Sequence, residues 1–209
     1  MATERHEPGS EKHRTLQRWV QRRLGTLDHE RRVADIAATL FTLTSPRHEL
    51  DAAHRRVLAM GATVHDVGRV DGEDGHEIAG AKMILRDESL PLTASERRAL
   101  AYLTRYHRGP VPDAGCDRIL GASDDHDGLR VTLALLRAAD ALDSRSLESP
   151  RLVFAMRGRA LRIACYLDTD SAKARRVYSR RKKFRLLEEL LGCRIEIDVR
   201  YAEALSMVA

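Results

Sequence analysis

"VLAMGATVHDVGRVDGEDGHEIAGAKMIL", residues 57–85, ends an apolar helical run with an adjacent histidine and aspartate, His65 and Asp66. A glycine-bearing loop follows, and His76 opens the next helical run. Leu58, Gly61, Ala62 and His65 share one helix line, so the His65 imidazole faces the interior where the pattern asks for an apolar group. His76 likewise begins the line of Gly80, Met83 and Ile84. A lone histidine beside a capping carboxylate is an ordinary core feature. The question is whether other segments aim polar groups at the same place.

Three do. His29 lies on the line of Val33, Ile36, Ala37 and Leu40, and His107 ends the line of Leu100, Leu103 and Thr104. In "LALLRAADALD" Asp140 follows Leu133 and Leu136, placing a carboxylate at an apolar position. Each such group costs several kcal/mol to bury unpaired, so helices that all turn one inward need a common partner. A metal ion supplies it. Imidazoles mixed with carboxylates, without thiolates, suit a divalent transition metal (Mn, Fe, Ni, Co or Zn), with Mg less comfortable. The His65–Asp66 adjacency fits because a helix end can splay two successive side chains toward one ion. With two ions, the Asp66 carboxylate can bridge them.

Outward from this stretch, apolar spacing predicts helices over 11–25, 28–44, 48–66, 76–88, 93–107, 128–143 and 171–191. Asp28 offers an N-cap, Pro46 a break, and Thr93 with Glu96 a capping box. The acidic loop "GASDDHDGL", 121–129, lacks the alternating ligands of a calcium loop and reads as a turn, with Asp127 capping the next helix and His126 exposed. From residue 150 the pattern changes. Alternating runs at 151–156 and 160–167 around "RGR" predict a β-hairpin, and 193–201 alternates again. The expected fold is mainly α. A loose N-terminus (1–10) precedes a helical body (11–148), and a small basic α/β appendage (149–209) follows.

The 209 residues are 43% hydrophobic and 32% charged, enough to bury a core without staples. Cys116, Cys165 and Cys193 are scattered and odd in number, which argues against a disulfide framework or a cysteine zinc site and for a reducing cytoplasm. No run approaches the roughly 20 apolar residues of a membrane span, and the start has no apolar signal core, so a soluble, intracellular protein without a membrane partner is expected. The formal charge of +5 is uneven: residues 1–149 sum to −2 and 150–209 to +7. Within the appendage, "KARRVYSRRKKFR" (173–185) concentrates Lys173, Arg176, Arg180, Arg181, Lys182 and Lys183. Such density suits a polyanion, and the shortage of aromatic residues favours chain-like phosphate over nucleic acid. A solvated helix face or a homodimer contact explains it as well.

His29, the His65-Asp66 dipeptide and the distant Asp140 resemble the H…HD…D pattern of the HD-domain metal-dependent phosphohydrolase superfamily, and "HEIAGAKMIL" is similar to a segment that makes His76 a further ligand there. "RYHR" around His107, followed by "LLRAADALD" and then a basic helix with short strands, resembles the C-terminal helical domain of the exopolyphosphatase/guanosine pentaphosphatase family. The likeness spans roughly residues 15–200. It implies an HD-type helical bundle and a phosphatase or phosphodiesterase acting on a phosphorylated small molecule, a nucleotide or a polyphosphate-like anion. His29, His65, Asp66, His76, His107 and Asp140 are then expected to hold one or two ions. Asp66 would also orient the nucleophile, with Arg69, Arg105 and Arg108 meeting phosphate oxygens. Two features depart from the family. The sugar-kinase-like halves that carry polyphosphate hydrolysis are not found within these 209 residues, and "YHRGPVPDAG" stands where cyclic-dinucleotide phosphodiesterases carry their GYP signature. The alternative is a non-catalytic HD-fold module that binds a polyanion or nucleotide.

Overall fold

In the computed structural model the described residues are 8–201, apart from 114, 148, 169 and 170. The expected loose N-terminus therefore lies largely outside them, as does the end of the appendage. Eight α-helices and one small sheet make up the described chain: α1 (Pro8–Leu24), α2 (Asp28–Thr44), α3 (Ala52–Val64), α4 (His76–Arg86), α5 (Ala94–Tyr106), α6 (His126–Leu142), β1 (Arg151–Arg157), β2 (Ala160–Leu167), α7 (Ser171–Tyr178), α8 (Lys182–Leu191) and β3 (Arg194–Tyr201). No helix among the described residues is long and apolar enough to cross a membrane.

The mainly helical body with its α/β appendage is as expected, and the differences lie at element ends and in one helix that is broken in two. Asp28 is the first residue of α2 rather than its cap, and its N–H donates to the Thr26 hydroxyl. The third helix starts at Ala52 because Asp51 caps it, accepting from the Ala53 and His54 N–H groups. Asp125, not Asp127, caps α6 by accepting from Gly128 N at 2.8 Å. His126 is half-buried, with Nε2 3.0 Å from Gly121 O. The Thr93–Glu96 capping box of α5 is present with both bonds made. The single helix expected over 171–191 is broken at 179–181 into α7 and α8. On one continuous helix Tyr178 and Phe184 would point about 120° apart. The break lets both be buried, with Tyr178 Oη donating to Leu142 O.

Helix α6 is the central element, buried on nearly every side through Leu129, Leu133, Leu135, Leu136 and Leu142, with α2, α3, α5 and α8 packed around it. A second apolar cluster joins α1 (Leu16, Trp19, Val20) to Ile84 of α4 and to Leu100 and Ala101 of α5. In the appendage β1 and β2 form an antiparallel hairpin closed at Gly158, whose φ of 56° suits a glycine. β3 then adds parallel to β2 after the α7–α8 crossover, with Ile163 opposite Ile197. The inner face, with Leu161, Ile163, Cys165 and Ile195, joins the core of the helical body through Phe184 and Leu187 in one apolar cluster.

Candidate metal centre

Five helix ends meet at one point. His29 lies in the first turn of α2, His65 and Asp66 close α3, His76 opens α4, His107 closes α5, and Asp140 lies in the last turn of α6. His65 keeps helical backbone angles while Asp66 turns to φ −100°, ψ 5°, which is how two consecutive side chains come to face one centre. All six side chains are buried. Helix ends leave carbonyls without intrahelical partners. Two histidines use such groups, with His65 Nδ1 2.8 Å from Ala62 O and His107 Nδ1 2.7 Å from Thr104 O, and His76 Nδ1 lies 2.7 Å from the loop carbonyl of Glu73. His29 Nδ1 instead donates to Asp143 Oδ2 at 2.7 Å, and Asp143 also accepts from Arg32 Nε at 2.9 Å.

With every Nδ1 donating outward, all four Nε2 atoms face the carboxylates. His76 Nε2 is 3.0 Å and His107 Nε2 3.3 Å from Asp66 Oδ1. His29 Nε2 is 3.8 Å from Asp66 Oδ2 and 3.4 Å from Asp140 Oδ1. His65 Nε2 is 3.8 Å from Asp66 Oδ1 and 3.7 Å from Asp140 Oδ1. Two groups with metal-ligand spacing result, His29–His65–Asp66 and Asp66–His76–His107, sharing Asp66. His29 Nε2 and His65 Nε2 are buried and have no hydrogen-bond partner, and the Nε2 atoms of His76 and His107 face each other at 3.3 Å. Orphaned imidazole nitrogens turned toward carboxylates, in a set without sulfur, are a donor set a divalent transition ion fits.

The electrostatics favour ionised carboxylates. Burial alone would raise Asp66, but His65, His107 and His76 hold it far below the usual carboxylate range. Asp140 is opposed by burial too, yet Lys183, His29 and His65 keep it low. Burial would lower His65, but Asp66, Asp140 and Glu30 outweigh it and raise the imidazole to about 9. For His107 burial wins and its pKa falls.

Asp66, His76 and Asp140 of the cluster form the floor of a cleft of about 770 Å³ between the helical body and the α7–α8 turn. Of the basic residues expected at the site, Arg69, Arg108, Arg180, Lys182 and Lys183 line it. Arg105 does not; its guanidinium lies 5.1 Å from the Tyr106 ring centroid. Lys173, Arg176 and Arg181 are not among the lining residues, and Arg181 instead donates to Ile195 O and pairs with Glu188. Arg69 and Arg108 both pair with Glu73 at the mouth. Lys183 of α8 reaches Asp140, tying the appendage to the cluster.

Four participants escaped the sequence pattern. Arg145 bridges Asp66 Oδ2 (2.9 Å) and the buried Glu30 (2.6 Å). Arg137 lines the cleft, with its guanidinium donating to Tyr106 O and Gly109 O. Asp143 completes the set. Only Asp143 left a readable signal, since it follows Asp140 by three residues and so shares its helix face.

Comparison with protein-family models matches residues 13–174 to the Ppx/GppA phosphatase, domain III. No curated protein matches the chain.

Proposed function

The chain belongs to the Ppx/GppA phosphatase family through its domain III, and from that premise we propose that it is a metal-dependent phosphohydrolase of HD type. Its substrate would be a phosphorylated small molecule of the polyphosphate or nucleotide-polyphosphate class. One observation carries the reading: four histidines from different helix ends have their Nδ1 atoms engaged outward and their Nε2 atoms turned on a shared aspartate, two of them without a partner.

His29, His65, Asp66 and Asp140 would hold one divalent ion and Asp66, His76 and His107 a second, from Mn, Fe, Ni, Co or Zn, with Mg a poorer match. The chemistry such ions supply when bound is Lewis acidity toward a phosphoryl oxygen and toward water. Asp66, ionised and central, would orient the attacking water. Arg69 and Arg108 exchange Glu73 for phosphate oxygens at the mouth, and Arg145 stands over the floor where charge develops. Arg180, Lys182 and Lys183, from the 149–209 appendage, form the wall facing the 11–148 body and retain the rest of an extended anion.

Elemental analysis of protein purified without chelator or metal-affinity resin tests this. Wild type should carry one or two equivalents of transition metal that Asp66→Ala loses, and the loaded wild type should release phosphate from tripolyphosphate. Wild-type protein that neither holds nor takes up Mn, Fe, Ni, Co or Zn sinks the proposal. The second reading, a non-catalytic polyanion module, is favoured by the basic wall itself. It requires tripolyphosphate affinity that survives Asp66→Ala and disappears when Arg180 and Lys182 are neutralised.

A further inference from the structure

The two halves of the cluster are built differently, and we infer that they bind metal with unequal affinity, the His29–His65 half filling first because Asp143 positions His29. This rests on the metal-centre reading above. Three of the four histidines are oriented by neutral main-chain carbonyls; His29 alone donates to a carboxylate, Asp143 Oδ2 at 2.7 Å. A carboxylate behind an imidazole fixes its tautomer, steadies the ring and makes the outer nitrogen a better donor to a cation. Asp143 is itself buried and anchored, its other oxygen accepting from Arg32 Nε at 2.9 Å.

The number of carboxylates acts in the same direction, although Lys183 on Asp140 and Arg145 on Asp66 offset part of it. The His29–His65 half has two carboxylates within reach, Asp66 and Asp140, whose nearest oxygens lie 3.4–3.8 Å from the two Nε2 atoms. The His76–His107 half has Asp66 alone. Behind His76 stands a cation, with Arg108 Nη1 3.5 Å from Nδ1. Coulomb energy at these separations discriminates between neighbouring positions for a divalent ion even with generous screening. Asp66 is shared unevenly: Oδ1 lies 3.0 and 3.3 Å from His76 and His107 and 3.8 Å from His65, while Oδ2 faces His29 and is held by Arg145 Nε at 2.9 Å. The first ion therefore enters a half whose ligands are already held in place, and the second completes a site that depends on the shared Asp66.

Two measurements on the whole chain, stripped of metal by chelator and then dialysed, decide the matter. In the first, wild type with ¹⁵N-labelled histidine is titrated with Zn²⁺ and followed through the imidazole resonances. The His29 and His65 Nε2 signals should move over the first equivalent, and those of His76 and His107 over the second. Simultaneous movement of all four, or the reverse order, overturns the inference. The second is equilibrium dialysis of Mn²⁺ against wild type and Asp143→Asn, a substitution that keeps shape and a hydrogen-bond acceptor but removes the charge. The tighter class should weaken roughly 10- to 100-fold, leaving the weaker class within about twofold. Equal weakening of both classes, or none, refutes the role given to Asp143. Should Asp143→Asn not fold, judged by circular dichroism, the wild-type titration still decides the order of filling. Failure of wild type to bind any ion removes the metal-centre reading itself. Binding in a single class with Asp143→Asn unchanged leaves that reading standing and removes only this inference.

Discussion

Substituting Gly68 should separate two neighbouring elements and carry His76 out of the cluster. Gly68 lies in the 3-10 turn Val67–Asp71, two residues past Asp66, and packs face to face on the first turns of α4. A Cβ placed on Gly68 would come within 2.1 Å of His76 O and 2.4 Å of Gly80 N. Both are main-chain atoms, more than an ångström inside ordinary contact, so no rotamer change relieves the clash and the turn and α4 must part. Overpacking of this kind costs about 3 kcal/mol, the upper end of its usual range, which for a chain of this size lowers Tm by roughly 6–12 °C. Gly25→Ala is the control. Gly25 has φ +80° and nothing within 4 Å of the added carbon, so that change carries only the left-handed backbone penalty of about 1 kcal/mol. Urea denaturation should give a midpoint for Gly68→Ala well below that for Gly25→Ala. Because His76 Nε2 lies 3.0 Å from Asp66 Oδ1 only while the two elements touch, Gly68→Ala should also lose the second metal equivalent. A Gly68→Ala protein within about 0.5 kcal/mol of wild type would show that the apposition does not hold the site together.

The remaining predictions concern a cap, a buried ion pair and the cleft wall. Thr93→Ala removes the Thr93 half of the α5 capping box and should lower stability by about 1 kcal/mol in urea titration. Asp124 accepts from Arg98 Nε at 2.6 Å and Nη2 at 2.8 Å, and also from Ser95, and is held well below the ordinary carboxylate range, chiefly by Arg98. A depressed folded-state value means the stabilisation is complete above the unfolded-state pKa near about 3.9 and is lost as pH falls through the lower folded value. Asp124→Asn should thus be less stable than wild type at pH 7, and the gap should close in acid; a gap constant down to the lowest pH that preserves the fold counts against this assignment. Replacing both Arg180 and Lys182 by Gln should weaken tripolyphosphate binding roughly 3- to 30-fold in calorimetry at low salt, with less dependence on ionic strength than wild type, each being an exposed cation on the cleft wall.

What is local in this fold is legible in the order of its residues. Side-chain direction along a helix repeats every 3.6 residues, so the inward bearing of His29, His65, His107 and Asp140 could be read from their apolar neighbours, as could the Thr93 capping box and the β1–β2 hairpin. Where the determinants are not local, the reading fell short. The break between α7 and α8 answers to the simultaneous burial of Tyr178 and Phe184, a demand set by the sheet and by α6. Arg105 and Arg108 both flank His107, yet only Arg108 lines the cleft. Glu30, Arg137 and Arg145 sit in ordinary polar or helical patterns, and nothing in their spacing signals that Arg145 spans from Glu30 to Asp66 or that Lys183 reaches Asp140 from the appendage. Periodicity gives the direction in which a side chain leaves its own backbone. The distances that join five helix ends, make Asp66 common to two ligand groups and place Asp143 behind His29 are fixed by the packing of α2, α3, α4, α5 and α6 against one another, and only the tertiary structure supplies them.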